Sequence, residues 1–220
     1  MTSLVPLGDQ AVLAYFADEM SALRFASAVR RGNDSWVVDV VQAYASVAVF
    51  YDLGRLNFNA AAQRLREIAA RADRSGERVE CRLHLVPCCY EHQLDLKRVA
   101  QKTGLSTEEV IRLHGDTEYT VYAIGFCPGF PYLGYLPTAL AGVPRLDSPR
   151  KRVEAGSVGL TGRQTGIYTE ARPGGWNIIG RTPLELVNVE DGYFPIRTGD
   201  RVKFERVDET EYSKLLGTRL

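Results

Sequence analysis

In the first 86 residues apolar positions recur at helical spacing in some segments and at every second residue in others. Helical spacing predicts helices at residues 19–31 and 58–72. The resulting order β-α-β-β-α-β is that of a split βαβ sheet with two helices on one face. In the fourth strand the alternation places Leu83 and Leu85 on the apolar face. The four strands are predicted from β-branched, aromatic or alternating runs at residues 11–16, 35–41, 45–51 and 79–86.

A break in the strand pattern at residues 87–90 predicts a domain boundary, with domains at residues 1–86 and 87–220. A short helix is expected to end at Gly104, and Ser106 with Glu109 forms a capping box that begins the next helix. His114 lies in the last turn of that helix, which Gly115 is expected to end. His114 has two interpretations: an interaction with the last carbonyls and the helix dipole, or proton transfer near neutral pH.

The second half of the chain is rich in glycine and turns. Twelve of the 20 glycines fall in residues 115–180, a density that helices do not tolerate. Short, evenly spaced strands joined by tight turns predict a closed or nearly closed β-barrel. These strands are expected at residues 119–126, 157–161, 164–168, 176–180, 184–189 and 201–206.

An apolar loop at residues 124–137 holds three glycines, three prolines and four aromatic residues. Such a rigid loop packs on the protein core, a ligand or a partner chain. Close behind it, residues 145–172 carry six basic and three acidic residues. The arginines form either a solvated rim or a pocket for a carboxylate or phosphate. The glycine run at residues 155–162 lacks the pattern of a phosphate-binding loop.

Composition excludes several classes of protein. The 27 basic and 27 acidic residues give a formal net charge of zero, which argues against nucleic acid or an anionic membrane as a partner. No secretory signal or membrane-spanning run is recognised. The four cysteines lack C-x-x-C spacing, so we expect no metal site and reduced thiols in the cytoplasm.

Five motifs in order resemble the carboxyltransferase C/D-type family. They are I-G-F-C-P-G-F-P-Y-L at residues 124–133, D-S-P-R at 147–150, G-S-V-G at 156–159, Q-T-G-I-Y at 164–168 and P-G-G-W at 173–176. The resemblance runs from about residue 5 to residue 206. The sequence departs from the family pattern after residue 87. Family members usually have a longer glycine-containing segment there, and this chain has a shorter one.

The resemblance implies an α+β protein, with a ferredoxin-like α/β sandwich followed by a cyclophilin-like β-barrel. It also implies one component of an ATP-dependent 5-oxoprolinase, which converts 5-oxo-L-proline to L-glutamate with two further subunits, a homologous one of type C and a third of type A. ATP, with Mg²⁺, would act in the assembled complex. Family members also include the sensor histidine kinase inhibitor KipI and subunits of urea or allophanate amidohydrolases and carboxyltransferases, which remain alternatives. Prolyl isomerase activity by analogy of fold is disfavoured.

Candidate site residues follow from the resemblance and from the chemistry of lactam opening. ATP can phosphorylate the lactam oxygen and make it a leaving group, after which the protein positions anions and stabilises charge. In that scheme His114 is the acid or base, and Gln164 and Tyr168 orient substrate or water. The residues expected to bind substrate or phosphate are Arg145, Arg150, Arg152, Phe126, Pro128, Gly129, Phe130, Tyr132, Gly156, Ser157, Gly174, Gly175, Trp176 and Arg181.

Overall fold

In the computed structural model, which describes residues 1–75 and 81–220, the chain divides after Glu80 into two units. The N-terminal unit comprises residues 1–80 and the C-terminal unit residues 81–220. The predicted boundary after residue 86 is therefore too late. The physical reason is strand pairing, because the strand Leu83–Cys88 pairs with a strand near the end of the chain. Residues 79 and 80 of the predicted strand 79–86 lie outside the described ranges.

The N-terminal unit is an antiparallel sheet with two helices. The elements are β1 (Ser3–Leu7), β2 (Ala11–Tyr15), α1 (Glu19–Gly32), β3 (Val37–Ala43), β4 (Ser46–Tyr51) and α2 (Phe58–Ser75). The strand order is β1-β2-β4-β3. The edge strand beside β2 is β1, which the sequence pattern does not predict because it contains Pro6; an edge strand tolerates proline.

The C-terminal unit is a seven-stranded sheet that closes on itself. The strands of this unit are β5 (Leu83–Cys88), β6 (Glu118–Ile124), β7 (Pro131–Gly134), β8 (Arg150–Val153), β9 (Ser157–Thr161), β10 (Gln164–Ile167), β11 (Arg172–Gly174), β12 (Asn177–Arg181) and β13 (Arg201–Arg206). The order in the closed sheet is β5-β13-β6-β7-β10-β9-β12, antiparallel except for the parallel pair β5–β13. Paired backbone hydrogen bonds of 2.8 and 3.0 Å between Cys89 and Arg181 join the two edges of this sheet. The helices are α3 (Leu96–Thr103), α4 (Thr107–Asp116) and α5 (Glu209–Leu215), and β8 and β11 form a separate pair.

Three local expectations are wrong for identifiable reasons. Residues 184–189 form only isolated bridges rather than a strand. Gly115 lies inside α4, which continues to Asp116. Leu83 and Leu85 are exposed, because Val86 and Cys88 supply the buried face of β5. None of the helices in the described ranges has the length and apolar character needed to cross a membrane.

A buried carboxylate ties the small pair β8–β11 to the closed sheet. Asp95 precedes α3 and accepts two hydrogen bonds from the Arg150 guanidinium, at 2.7 and 2.9 Å. It also accepts one from the backbone N–H of Ile178 in β12, at 2.7 Å. A bidentate pair with every oxygen satisfied is the arrangement in which a buried ion pair is tolerated. Arg150, predicted as a substrate contact, therefore holds the fold together here.

His114 stands in a polar chain inside the core of the C-terminal unit. Its ring is fully buried and stacks on Phe204 at a centroid distance of 4.5 Å. Nδ1 lies 2.8 Å from the Tyr90 hydroxyl, and Nε2 lies 2.9 Å from the Thr165 hydroxyl oxygen. Because Thr165 donates its own proton to the Gly159 carbonyl at 3.0 Å, Nε2–H donates to Thr165 and Nδ1 accepts from Tyr90. Both ring nitrogens are thus used within the core.

Removing Arg150 should destabilise the protein far more than removing a neighbouring arginine. Arg150→Gln leaves the Asp95 charge buried without its cation, and we expect a loss of about 3 kcal/mol in the free energy of unfolding. Arg152→Gln is the control, because its partner Glu154 is exposed, and it should cost less than about 1 kcal/mol. Urea denaturation measures both values. Equal losses would contradict the structural role of Arg150.

The stability of the protein should depend on His114 through pH. Burial lowers the pKa of His114 to about 3, from 6.5 in an unfolded chain. The unfolded chain therefore binds the proton first, and stability falls as pH decreases from 6.5 towards 3, by about 1.4 kcal/mol per pH unit. We expect His114→Gln to be less stable than wild type at pH 7 and the difference to shrink as the pH falls. Urea denaturation measures the free energy of unfolding of both proteins. A stability difference between His114→Gln and wild type that stays constant from pH 7 to pH 4 would refute this account.

Candidate functional site

The loop that begins the site is closed on itself by backbone hydrogen bonds. Gly125 N–H donates to the Phe130 carbonyl, and Phe130 N–H donates to the Cys127 carbonyl. Phe126 has a φ of 70°, a left-handed conformation that is uncommon outside glycine. Gly129 has a φ of 68°, and a Cβ there would lie 2.2 Å from a methyl group of Val187. These hydrogen bonds and the tight fit at Gly129 constrain the loop, and Phe126 is 58% exposed.

Beyond this loop lies a cavity of about 230 Å³ with aromatic walls. The buried Phe130 ring lies at the bottom of this cavity. Its centroid is 5.3 Å from that of Tyr168 and 5.5 Å from that of Trp176, both edge-on, and 4.9 Å from that of Tyr132, which is tilted. Such edge-to-face contacts fix ring orientations. The lining residues are Phe126, Phe130, Tyr132, Arg145, Pro149, Tyr168, Pro173, Gly174, Gly175 and Trp176. We call this space the aromatic pocket.

Two phenols in the pocket stay protonated at neutral pH. Burial raises the pKa of Tyr168, and a backbone hydrogen bond from Trp176 and the charge of Arg145 oppose the rise only in part. Burial likewise raises the pKa of Tyr132, again against the charge of Arg145. Both hydroxyl groups can therefore donate hydrogen bonds to a ligand.

One cation at the pocket has no partner. Arg145 makes no hydrogen bond, ion pair or ring contact with the residues that the structure describes. Each of the other arginines between residues 145 and 181 contacts a partner within the protein. Arg150 binds Asp95, Arg152 binds Glu154, Arg172 binds Glu170, Arg163 lies over the ring of Tyr135, and Arg181 donates to the Ala155 carbonyl. Of these arginines, Arg145 is the one that lines the aromatic pocket and has no such partner among the described residues.

A glycine allows Tyr168 to occupy its position. A Cβ on Gly174 would lie 2.3 Å from the Tyr168 hydroxyl oxygen, well inside any contact distance. Its neighbour Gly175 is different, because a Cβ there would meet Pro149 at an ordinary 3.5 Å. Gly174 therefore shapes the pocket by leaving room for the phenol.

The structure brings together about half of the residues predicted as a site. Eight of them line the aromatic pocket: Phe126, Phe130, Tyr132, Arg145, Tyr168, Gly174, Gly175 and Trp176. Pro128 and Gly129 instead anchor the loop, since the Pro128 carbonyl accepts from Thr169 at 2.6 Å. Gly156 and Arg181 line a second cavity of about 250 Å³. Ser157, on β9, is buried and pairs with Arg181 of β12. His114 and Gln164 are not among the residues that line the aromatic pocket.

Sequence reasoning missed two prolines and one acid. Pro149 and Pro173 line the pocket, and both stand in motifs that carry the family resemblance. Asp95 was missed because nothing in its local pattern marks it as the partner of an arginine 55 residues later. The lining residues of the pocket include no aspartate, glutamate, histidine or cysteine. This chain therefore offers binding and orientation there, without a carboxylate or imidazole for proton transfer.

Comparison with known proteins places this geometry in a family. The family model "Carboxyltransferase domain, subdomain C and D" matches residues 2–193. The B-type subunit of the 5-oxoprolinase of Bacillus subtilis is 36% identical over 225 residues, covering 94% of this chain and 93% of that protein. Its counterpart in Haemophilus influenzae is 36% identical over 214 residues, covering 92% of this chain and 96% of that protein.

A solved structure agrees with the fold. The crystal structure of TTHA0988 is 34% identical and superposes with a TM-score of 0.77, covering 90% of this chain. The present chain spans only 40% of the length of that protein chain. With a family model matching most of its length and two relatives above 30% identity, the chain belongs to the family of carboxyltransferase domains, subdomains C and D.

Proposed function

We propose that the chain is a subunit of an ATP-dependent 5-oxoprolinase and that its aromatic pocket binds 5-oxo-L-proline. Similarity along nearly the whole chain to two proteins named as the B-type subunit of 5-oxoprolinase supports the first part. The volume and lining of the aromatic pocket support the second part, the binding of 5-oxo-L-proline. We further propose a ferredoxin-like N-terminal unit and a cyclophilin-like barrel, which the closed sheet supports. Four free cysteines support assembly in the cytoplasm.

The observation that carries the proposal is the unpaired Arg145 beside the aromatic pocket. 5-Oxoproline is a five-membered lactam ring with one carboxylate. Its ring has flat apolar faces that suit the walls formed by Phe130 and Trp176. Its carboxylate requires a cation, and a guanidinium that is not already paired can bind it with two hydrogen bonds.

The size of the pocket favours a small substrate over a nucleotide. Its volume of about 230 Å³ is below the roughly 300–1,000 Å³ typical of pockets for drug-sized ligands. We therefore place 5-oxoproline in this pocket and ATP, with Mg²⁺, outside it in the assembled complex. The proposed partners are the two further subunits of that enzyme, the homologous one of type C and the third of type A.

The residues of this chain then act mainly by orientation. Phosphoryl transfer from ATP to the lactam oxygen would make that oxygen a leaving group. Arg145 holds the substrate carboxylate, which fixes the direction of the ring. The neutral phenols of Tyr132 and Tyr168 donate hydrogen bonds to polar atoms of the lactam. We assign general acid–base catalysis to another chain of the complex, because the pocket lining contains no carboxylate, imidazole or thiol.

Loss of the Arg145 charge should weaken substrate binding. In the complex assembled with its partner subunits, Arg145→Gln should raise the KM for 5-oxoproline by about 10- to 100-fold, the equivalent of about 1.5–3 kcal/mol for a charged hydrogen bond. The kcat should change much less, since the carboxylate is bound in ground state and transition state alike. Lys151→Gln, a nearby exposed cation outside the pocket, is the matched control. ATP-dependent glutamate release measures both parameters, and an unchanged KM would refute the carboxylate contact.

Displacing Tyr168 should impair the site without changing its charge. Gly174→Ala forces the buried phenol out of its position, and we expect kcat/KM to fall by at least about tenfold in the assembled complex. Gly175→Ala adds the same methyl group one residue later at an ordinary contact distance, so its activity should stay within about threefold of wild type. Circular dichroism confirms folding of both variants. Equal activities of the two variants would show that Tyr168 has no role in binding.

A further inference from the structure

Three side chains of types that bind metals meet on the C-terminal unit, and none of them is among the residues that line the aromatic pocket. Cys89 directly precedes a single 3₁₀ turn, Tyr90–His92, and His92 ends it. Glu209 is the first residue of α5. The Cys89 sulfur, a His92 ring nitrogen and a Glu209 carboxylate oxygen all lie within 4.8 Å of one another. His92 Nε2 and Glu209 Oε2 are 3.1 Å apart.

We propose that Cys89, His92 and Glu209 bind a thiophilic divalent transition-metal ion, with Zn²⁺ as the best fit. Zinc bonds of about 2.3 Å to sulfur and about 2.0–2.1 Å to nitrogen or oxygen place tetrahedral ligand atoms about 3.3–3.6 Å apart. The His92–Glu209 pair already has nearly this separation, and closing the remaining gap to the sulfur requires movements of about 1 Å at the partly buried His92 and the exposed Glu209. A sulfur, an imidazole and one carboxylate form a donor set typical of zinc rather than of magnesium or calcium.

The surroundings of the cluster suit a bound ion. Cys89 is buried and packs with Val207 and Tyr212, which gives the sulfur an apolar wall. The His92 ring lies against the Tyr212 ring at a centroid distance of 4.4 Å, which restricts its orientation. The His92 and Glu209 side chains are 33% and 59% exposed, so an ion can enter from solvent and keep a water as its fourth ligand.

The charges of the cluster also balance. Burial raises the pKa of the Cys89 thiol to about 11, so the thiol is protonated without metal and donates to a Glu91 carboxylate oxygen at 3.0 Å. On binding of M²⁺ the S–H bond breaks, the sulfur–metal bond forms and the proton passes to solvent. The thiolate and the Glu209 carboxylate then neutralise the two positive charges.

The spacing of the four cysteines led us to expect no metal site. That expectation considered the spacing of cysteines with one another, whereas the cluster uses a C-x-x-H spacing at residues 89–92 and an acid about 120 residues later. An ion there would join the turn after Cys89, which closes the sheet with Arg181, to helix α5.

The test uses the full chain, freed of metal with a chelator and then titrated. Zn²⁺ binding is followed by competition with a chromophoric chelator, and Co²⁺ serves as a spectroscopic probe because zinc is spectroscopically silent. We expect one equivalent of ion per chain, thiolate-to-cobalt charge-transfer absorption, and a higher melting temperature with Zn²⁺. Glu209→Gln and His92→Gln should each lower the Zn²⁺ affinity by at least about tenfold.

Matched controls separate the site from adventitious binding. Glu211→Gln removes an exposed acid from the same helix, and Cys81→Ser removes the exposed thiol; both should keep the Zn²⁺ affinity within about twofold of wild type. Glu209 is exposed, so its variant folds even if Cys89→Ser does not. The proposal is overturned if wild type gives no charge-transfer band with Co²⁺. It is equally overturned if Glu209→Gln and Glu211→Gln bind Zn²⁺ with the same affinity.

Discussion

The Asp95 carboxylate holds the two edges of the candidate site in register. It binds Arg150, the residue after Pro149 at the pocket wall, and the backbone of Ile178, two residues after Trp176. Arg150 also begins β8, whose partner β11 carries Gly174 against the Tyr168 phenol. A buried ion pair contributes little net stability, but it penalises every arrangement in which one partner is missing. The geometry of the pocket therefore depends on a charge pair outside it.

We attribute the proposed selectivity of the aromatic pocket to the small number of charged groups in its lining. Five aromatic side chains and two prolines supply apolar contact, and Arg145 supplies the single unpaired cation among the described lining residues. A carboxylate in this pocket could form a charge-assisted, bidentate pair with that guanidinium. A ligand with a phosphate chain and a base would need more donors and more volume. Electrostatics and size therefore favour the same class of ligand.

Much of this arrangement could be predicted from the sequence, and the failures share a cause. Periodicity identified both helices of the N-terminal unit, and the capping box at Ser106 and Glu109 is present as expected. The strands at residues 157–161 and 201–206 have the predicted bounds. What local pattern could not supply was pairing across the chain: β5 with β13, and Asp95 with Arg150. A strand has the same local pattern whichever partner it has, so the domain boundary was misplaced.

Residue type alone also could not separate structural groups from functional ones. His114 and Arg150 have the chemistry of an acid–base and of an anion ligand, yet both ring nitrogens of His114 are hydrogen-bonded in the core and Arg150 forms a bidentate pair with the buried Asp95. Breaking either arrangement would cost the desolvation free energy of a buried polar or charged group. Arg145 differs from Arg150 by its lack of a partner rather than by its type. Within the described ranges, unsatisfied binding capacity next to a shaped cavity is therefore the physical property that identifies the site, and it is visible only after the chain has folded.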